Sequence, residues 1–420
     1  MIGPNIKLTH KAMLKLELKT DKFENRLLIF TQYRLFIFTV KGGGSSTKLE
    51  HSYNLIDINH IESRQSDRLI IGFRSIDSKH PYCFHSCDPN QEEINLIICH
   101  LVSSLKTLFP YMPFESFIKR FIVEPKQRLD NIYEYVQLME ERLRFRSHDH
   151  PCGGFSNQYA CFCDYYGVPY REEVARDIDT IYAAHNHTEL SILDFEHLDL
   201  KDLQPLIAAL TYNGYFTKFR VSNVKIVNSS QSGSDQLCEL IVNLVRRSTK
   251  LEEIYLDNTG IRADFVNKLF QAMLLNNQTS IQYIDLSNNT IEDKGLKNMT
   301  AFVAKSFHMA NSMMMNNSSE DLSSASLSLL NFSTCSNPIQ SQQQSNNSNN
   351  NTITSSAKLM YKGLVHLNLS HCGITSKGIS ELSESLYLNK SMFSTLTYLN
   401  LSDNCFKDDL SVSLNCENCW

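Results

Sequence analysis

One short apolar pattern recurs along the second half of this 420-residue chain and limits its fold more than any other feature. In Leu251-Glu252-Glu253-Ile254-Tyr255-Leu256-Asp257-Asn258-Thr259-Gly260-Ile261, apolar side chains alternate through the middle and return after a small hydrogen-bonding residue. Ile281, Ile284, Leu286, Asn289 and Ile291 repeat the pattern, as do Leu364, Leu367, Leu369, Cys372 and Ile374, and Leu396, Leu399, Leu401, Asn404 and Phe406. Weaker copies start at Leu190 (Leu193, Phe195) and Phe216 (Phe219, Val221, Ile226). The starts 190, 216, 251, 281, 364 and 396 are 26, 35, 30, 83 and 32 residues apart. The alternation is a strand, and helix-like stretches such as Asp264–Leu275 and Lys377–Leu388 follow. A strand-helix unit this small cannot bury its apolar face alone, so neighbours must stack into a continuous core.

The template is that of a leucine-rich repeat, which gives an α/β solenoid of ribonuclease-inhibitor type over residues 186–410. The wide gap holds an insertion, residues 306–358, with runs such as Gln342-Gln343-Gln344 and Ser345–Asn351. Such a composition cannot bury enough apolar surface to order itself, so disorder is expected there. The concave face would carry the outward strand positions: Glu252, Glu253, Tyr255, Asp257, Gln282, Tyr283, Asp285, His366, Asn368, Tyr398 and Asn400. Tyrosines among carboxylates suit recognition of a protein partner.

Residues 1–110 read differently. Leu14, Leu16 and Leu18 alternate with polar residues, and strand-like runs follow at Arg26–Gln32, Tyr33–Val40, Leu55–Ile61, Arg68–Phe73 and Tyr82–Ser86. Lys41–Lys48 breaks the pattern as a glycine-rich loop. Asn90–Phe109 has a helical face of Ile94, Ile97, Ile98, Leu101, Leu105 and Leu108. Strands closed by one C-terminal helix resemble a pleckstrin-homology-like β-barrel, in which the helix seals one end. Lys15, Lys19, Lys22, Arg26, Arg34, Lys41 and Lys48 form a candidate basic face for lipid phosphates. The second strand offers Arg26 but Leu28 two residues on, so a headgroup-specific pocket is incomplete and diffuse attraction to acidic phospholipid is expected.

Residues 111–185 form a connector. Pro125–Arg146 has Leu129, Ile132, Val136, Met139 and Leu143 on one face and is expected to cap the solenoid. His148, His150, Cys152, Cys161 and Cys163 are close enough to suggest zinc, but Cys161 and Cys163 are separated by one residue rather than two to four. A packed loop turned by Gly153 and Gly154 is the expectation, with no metal and no cofactor.

Net charge is −5, yet residues 1–48 carry nine Lys or Arg against three Asp or Glu. A basic start on an acidic body fits one edge against anionic lipid and a body for protein partners, not nucleic acid. The twelve cysteines are scattered, as in a cytosolic chain. No phosphate loop, nucleophile elbow or His-Glu-x-x-His helix is present, so an enzyme is not expected.

Several strings, strongest over 150–295, resemble the CARMIL family of actin regulators: Cys152–Ser156, Cys163–Gly167, Arg171–Val174, Asp177–Tyr182, Phe195, Leu198–Leu200, Phe216–Lys218, Leu251–Ile261 and Ile291–Gly295. The resemblance implies an atypical membrane-binding module joined to a repeat scaffold. It also implies a cytoplasmic protein at the plasma membrane and the actin-rich cell edge, working with actin-regulatory proteins through capping protein. The family's capping-protein motif lies beyond its repeats, so this chain is expected to stop short of it, with a divergent tail at 411–420. An open-ended solenoid is expected to self-associate as a homodimer. The alternative is a cytosolic repeat protein, such as a small-GTPase regulator.

Overall fold

The structure, a computed structural model, describes residues 7–19, 22–41, 46–74, 81–88, 92–112, 114, 117–145, 150–226, 234–305 and 363–406. The expected insertion and the tail at 411–420 lie outside the described residues. The chain divides into two units, the first of residues up to 220 with part of the segment that follows 226, the second carrying the later repeats.

In the first unit, an eight-stranded sheet runs in the order β4-β3-β2-β1-β7-β6-β5-β8. Its strands are β1 (Leu8–Lys19), β2 (Lys22–Thr31), β3 (Arg34–Lys41), β4 (Ser46–Asn54), β5 (Ile58–Ser63), β6 (Arg68–Phe73), β7 (Tyr82–Ser86) and β8 (Arg120–Val123). Strict alternation places Ala12, Leu14 and Leu16 of β1, and Leu28 and Phe30 of β2, in the core. Helix α1 (Glu93–Leu108) buries Ile94, Ile97, Ile98, Leu101 and Leu105 in the same core, as its periodicity predicts. This is the pleckstrin-homology-like arrangement.

Two strands escape the sequence reading. β4 is mostly polar and exposed through residue 51, with Tyr53 and Asn54 buried at its end, an edge strand recognisable through its pairing with β3. β8 pairs parallel with β5, Ile61 opposite Phe121, so the sheet runs past residue 110 into the expected connector. Helix α2 (Lys126–Phe145), expected as a cap on the repeats, packs on α1, and Arg128 donates to Ser63 Oγ at 2.9 Å and Glu124 O at 2.6 Å. Leu129, Ile132 and Val136 are buried, while the side chains of Met139 and Leu143 lie outside the described residues.

The rest of the first unit is helix α3 (Phe155–Tyr166), α4 (Glu172–Asp177), β9 (Glu189–Ser191), α5 (Leu203–Thr211) and β10 (Lys218–Arg220). Three consecutive residues before α3, Cys152, Gly153 and Gly154, have positive φ. Gly153 has φ of 68°, and a Cβ there would lie a tight 3.1 Å from Tyr111 and Tyr215, so glycine is favoured on both counts. Asn213 locks this turn: its Nδ2 donates to Cys152 O (3.0 Å) and Gln158 Oε1 (2.9 Å), and its Oδ1 accepts from Tyr215 N (2.8 Å). β9 pairs with β10 as Leu190 opposite Phe219. The first repeat is therefore registered three residues earlier than its leucines suggested, with Leu190 and Ile192 inside and Leu193 50% exposed. Leu193 fits the template by identity but faces water.

After helix α6 (Ser234–Arg247), the second unit carries β11 (Glu253–Tyr255), α7 (Ala263–Leu275), β12 (Tyr283–Asp285), α8 (Lys297–Ala304), β13 (His366–Asn368), α9 (Ser376–Leu388), α10 (Lys390–Thr395) and β14 (Tyr398–Asn400). β11 to β14 form parallel pairs in an unbroken register, Ile254, Ile284, Leu367 and Leu399 in line. Asn289 binds the turn as the template requires: Oδ1 accepts from Thr259 N (3.1 Å) and Gly260 N (2.9 Å), and Nδ2 donates to Leu256 O (2.8 Å) and Leu286 O (2.9 Å). Asn404 does the same for Cys372 N and Ile374 N, each at 3.0 Å. Asn223, Asn258, Asn288, His371 and Asp403 share one template position and all have φ between 54° and 59°. Asn, Asp and His are the residues that tolerate this left-handed geometry best after glycine.

Candidate functional site

Two surfaces hold the predicted site residues. On the barrel, outward-facing positions alternate with the core. Met13, Leu27, Phe38 and Leu49 stand directly opposite one another on four successive strands. Met13 and Leu49 are 38% and 40% exposed, and Leu27 and Phe38 half-buried. Lys11 and Lys15 flank this row on β1, and Lys48 is exposed on β4. At the end of the β1–β2 hairpin, Lys19 pairs with Lys22, beside Leu18 and Phe23, which are 42% and 44% exposed. Lysines bordering exposed apolar side chains make an amphiphilic surface.

Two of the predicted cations do not join it. Arg26 lies in phase with Leu28 and Phe30, so it points inward. It is 4% exposed and donates from Nε to Glu50 Oε2 at 2.6 Å, with Glu24 at 3.2 Å. Arg34 binds Asp164 of α3 through Nε (Oδ2, 2.7 Å) and NH2 (backbone O, 2.7 Å), and Ser52 Oγ at 3.2 Å. Both are internal ties and are withdrawn from the lipid face. The side chain of Lys41 lies outside the described residues. Lys11 was missed, though it precedes Met13 and Lys15 at the spacing of one strand face.

On the repeats, the outward strand positions form rows. Tyr283, His366 and Tyr398 are aligned by register, and their rings stack: 5.7 Å between Tyr283 and His366, 4.1 Å and 8° between His366 and Tyr398. Burial lowers the His366 pKa, against the pull of Asp285 and Glu253. Tyr255 donates to Glu253 at 2.6 Å, Asn368 to Asp285 at 2.9 Å, and Ser222 to Asp257 at 2.5 Å. Glu252 is exposed, and its backbone carbonyl accepts from Gln282 and Tyr283. The result is an aromatic ladder edged by carboxylates, braced before any partner arrives.

The cysteines weighed for zinc do not converge. Cys152 Sγ donates to Ile178 O at 3.4 Å, and Cys161 Sγ to Asn54 Oδ1 at 3.7 Å. Burial pushes the thiols of Cys152 and Cys163 up to about 11. Among the described residues no helix is long and apolar enough to cross a membrane.

Comparison with known proteins places these parts. The family description "Carmil pleckstrin homology domain" matches residues 7–110, "CARMIL family, LRR domain" matches 152–361, and "Leucine Rich repeat" matches 364–383 and 394–409. The human "Capping protein, Arp2/3 and myosin-I linker protein 3" is 33% identical over 292 residues, 68% of this chain and 19% of that protein. "Protein CARMIL" of Dictyostelium discoideum is 26% identical over 291 residues, 69% of this chain and 25% of that protein. The "Rho GTPase-activating protein gacW" of the same organism is 21% identical over 390 residues, 92% of this chain and 27% of that protein. The chain thus spans from just under a fifth to a little over a quarter of these relatives. With half its length under one CARMIL description and its first domain under another, the chain belongs to the CARMIL family.

Proposed function

We propose that this chain is a cytoplasmic scaffold held at the inner face of the plasma membrane, acting on actin-filament assembly at the cell edge in concert with capping protein. The barrel supplies the membrane contact and the repeats the partner surface. The observation that carries the membrane half is the aligned row Met13, Leu27, Phe38 and Leu49 bordered by lysines. Five lysines at about 1 kcal/mol each supply roughly 5 kcal/mol towards an acidic bilayer. That alone corresponds to sub-millimolar binding, so the apolar row has to add to it. The actin half rests on family membership, since the human relative is named as a linker of capping protein, Arp2/3 and myosin-I.

Co-sedimentation of the full chain with acidic and neutral vesicles over a salt series tests the membrane half. Expected is binding that requires acidic lipid, weakens with salt and falls in Lys15→Glu/Lys22→Glu and in Leu49→Glu. No binding to acidic vesicles at low salt leaves a cytosolic scaffold. The match to a Rho GTPase-activating protein across nearly the whole chain favours a second reading, regulation of a small GTPase through the acidic strand face. Recovery of a GTPase with no cytoskeletal protein on the immobilised chain, abolished by Tyr283→Ala/Asp285→Ala, selects that reading. Self-association is checked by light scattering.

A further inference from the structure

We propose that Glu17, Cys83 and His85 bind a divalent transition-metal cation, zinc foremost, on the outer face of the barrel. Strand alternation creates the cluster. In β7, Phe84 and Ser86 turn into the core, so Cys83 and His85 share the other face. β1 runs antiparallel beside it with Leu16 opposite Phe84, and one further step in that register brings Glu17 abreast of Cys83.

The geometry is that of a coordination polyhedron. His85 Nε2 lies 3.6 Å from Cys83 Sγ and 3.1 Å from Glu17 Oε2, and all three donor atoms fall within 4.8 Å of one another. A tetrahedral zinc with bonds of about 2.3 Å to sulfur and about 2.0–2.2 Å to nitrogen and oxygen needs ligand separations of roughly 3.3–3.6 Å. The two His85 separations already lie within about 0.2 Å of that range, and side-chain rotation of Glu17 or Cys83 closes whatever remains of the third, which is within 4.8 Å. One imidazole nitrogen, facing a thiol and a carboxylate together, can satisfy only one of them by hydrogen bonding. A cation between the three engages one lone pair on each donor atom. A sulfur, a nitrogen and an oxygen form a donor set of borderline softness, which zinc accepts. Phe23, opposite Glu17 on β2, sets its ring edge-on to His85 at 4.9 Å and 79°, which fixes the imidazole's orientation. The cluster is half-buried and reaches solvent, so water completes the fourth position.

Arg68 of β6 is the competitor. Its Nε lies 3.0 Å from Cys83 Sγ and its NH2 3.7 Å from Glu17 Oε2. In the metal-free protein this guanidinium supplies the positive charge that the donors face. Being 43% exposed, it can swing into water when a metal enters. Its removal therefore strengthens metal binding, which a merely structural arginine would not predict.

The test is a cobalt(II) titration of the full chain, followed by back-titration with zinc. Expected is one equivalent giving a thiolate-to-cobalt charge-transfer band and tetrahedral ligand-field bands, both erased by zinc. Cys83→Ser abolishes the charge-transfer band, Glu17→Gln and His85→Gln weaken binding at least about tenfold, and Arg68→Ala tightens it severalfold. Circular dichroism confirms that each variant is folded. Replacing Cys416 and Cys419 by Ser, both outside the described residues, leaves the signal intact. No band in the wild-type chain, a band surviving Cys83→Ser, or affinity unmoved by Glu17→Gln each overturns the proposal.

Discussion

The barrel and the repeats both tie distant backbone together with buried polar side chains, but they do so under different rules. In the barrel each tie occurs once: Arg26 to Glu50, Arg34 to Asp164, Arg128 to Ser63. In the repeats one tie recurs at a fixed template position, with Asn289 and Asn404 each holding the turn of the neighbouring strand. A unique tie must be strong enough alone, and charge-assisted bonds supply that strength. A repeated tie can use a neutral amide, because each repeat needs only its neighbour.

The largest effect should come from Asn289→Ala. It removes the acceptor from Thr259 N and Gly260 N and one donor each from Leu256 O and Leu286 O, which keep Thr259 Oγ1 and Cys372 Sγ, and each buried N–H left unmade costs about 1 kcal/mol or more. A loss of about 3 kcal/mol in denaturant unfolding is expected, with hydrogen exchange rising around 256–261 and the barrel untouched. A rise spread over both regions would break the nearest-neighbour picture.

Arg26→Ala should cost about 2 kcal/mol, less than a fully buried pair because Glu50 is 27% exposed. Arg26→Met should recover only the part that is lost packing, because methionine refills the space but leaves Glu50 unpaired. Lipid binding should be unchanged apart from any unfolding, which would separate this inward arginine from the lysine face.

The barrel should show an acid-sensitive step. Burial, with His10 nearby, lowers the His100 pKa to about 4 from 6.5. Between those values the unfolded chain takes up a proton that the folded barrel refuses. Stability from this group is complete above about pH 6.5 and is lost as pH falls towards 4. His100→Gln should flatten that slope in urea titrations at stepped pH. An unchanged slope would place the proton uptake elsewhere. The smallest effect should be a gain of about 0.5 kcal/mol in His371→Asn, because asparagine adopts φ of 56° more readily than histidine. No gain would show that the position is held by more than backbone preference.

The same contrast explains what the sequence reveals. A recurring position can be checked against its copies, so Asn289, Asn404 and the strand rows were legible. The first repeat was misplaced because Leu193 satisfies the template by identity while facing water. In the barrel, the phase of β2 already placed Arg26 with Leu28 and Phe30, and a stricter use of alternation would have removed it from the lipid face. β4 is mostly polar and is defined by its pairing, while β8 is a short apolar run, Phe121-Ile122-Val123, too brief to tell from a helix or loop without its partner β5. Cys83-Phe84-His85 hinted at one face of a strand, but Glu17 joins it only through register across strands far apart in sequence.

β8 also sets a timetable for synthesis. The parallel partner of β5 and the arginine that binds Ser63 are both translated after α1. A nascent chain therefore cannot finish its first domain until residue 128 has cleared the ribosome, whereas each later repeat docks as it emerges onto a neighbour already in place. Until then β5 offers an unpaired edge, and chaperones that shield such edges would be expected to act in that interval.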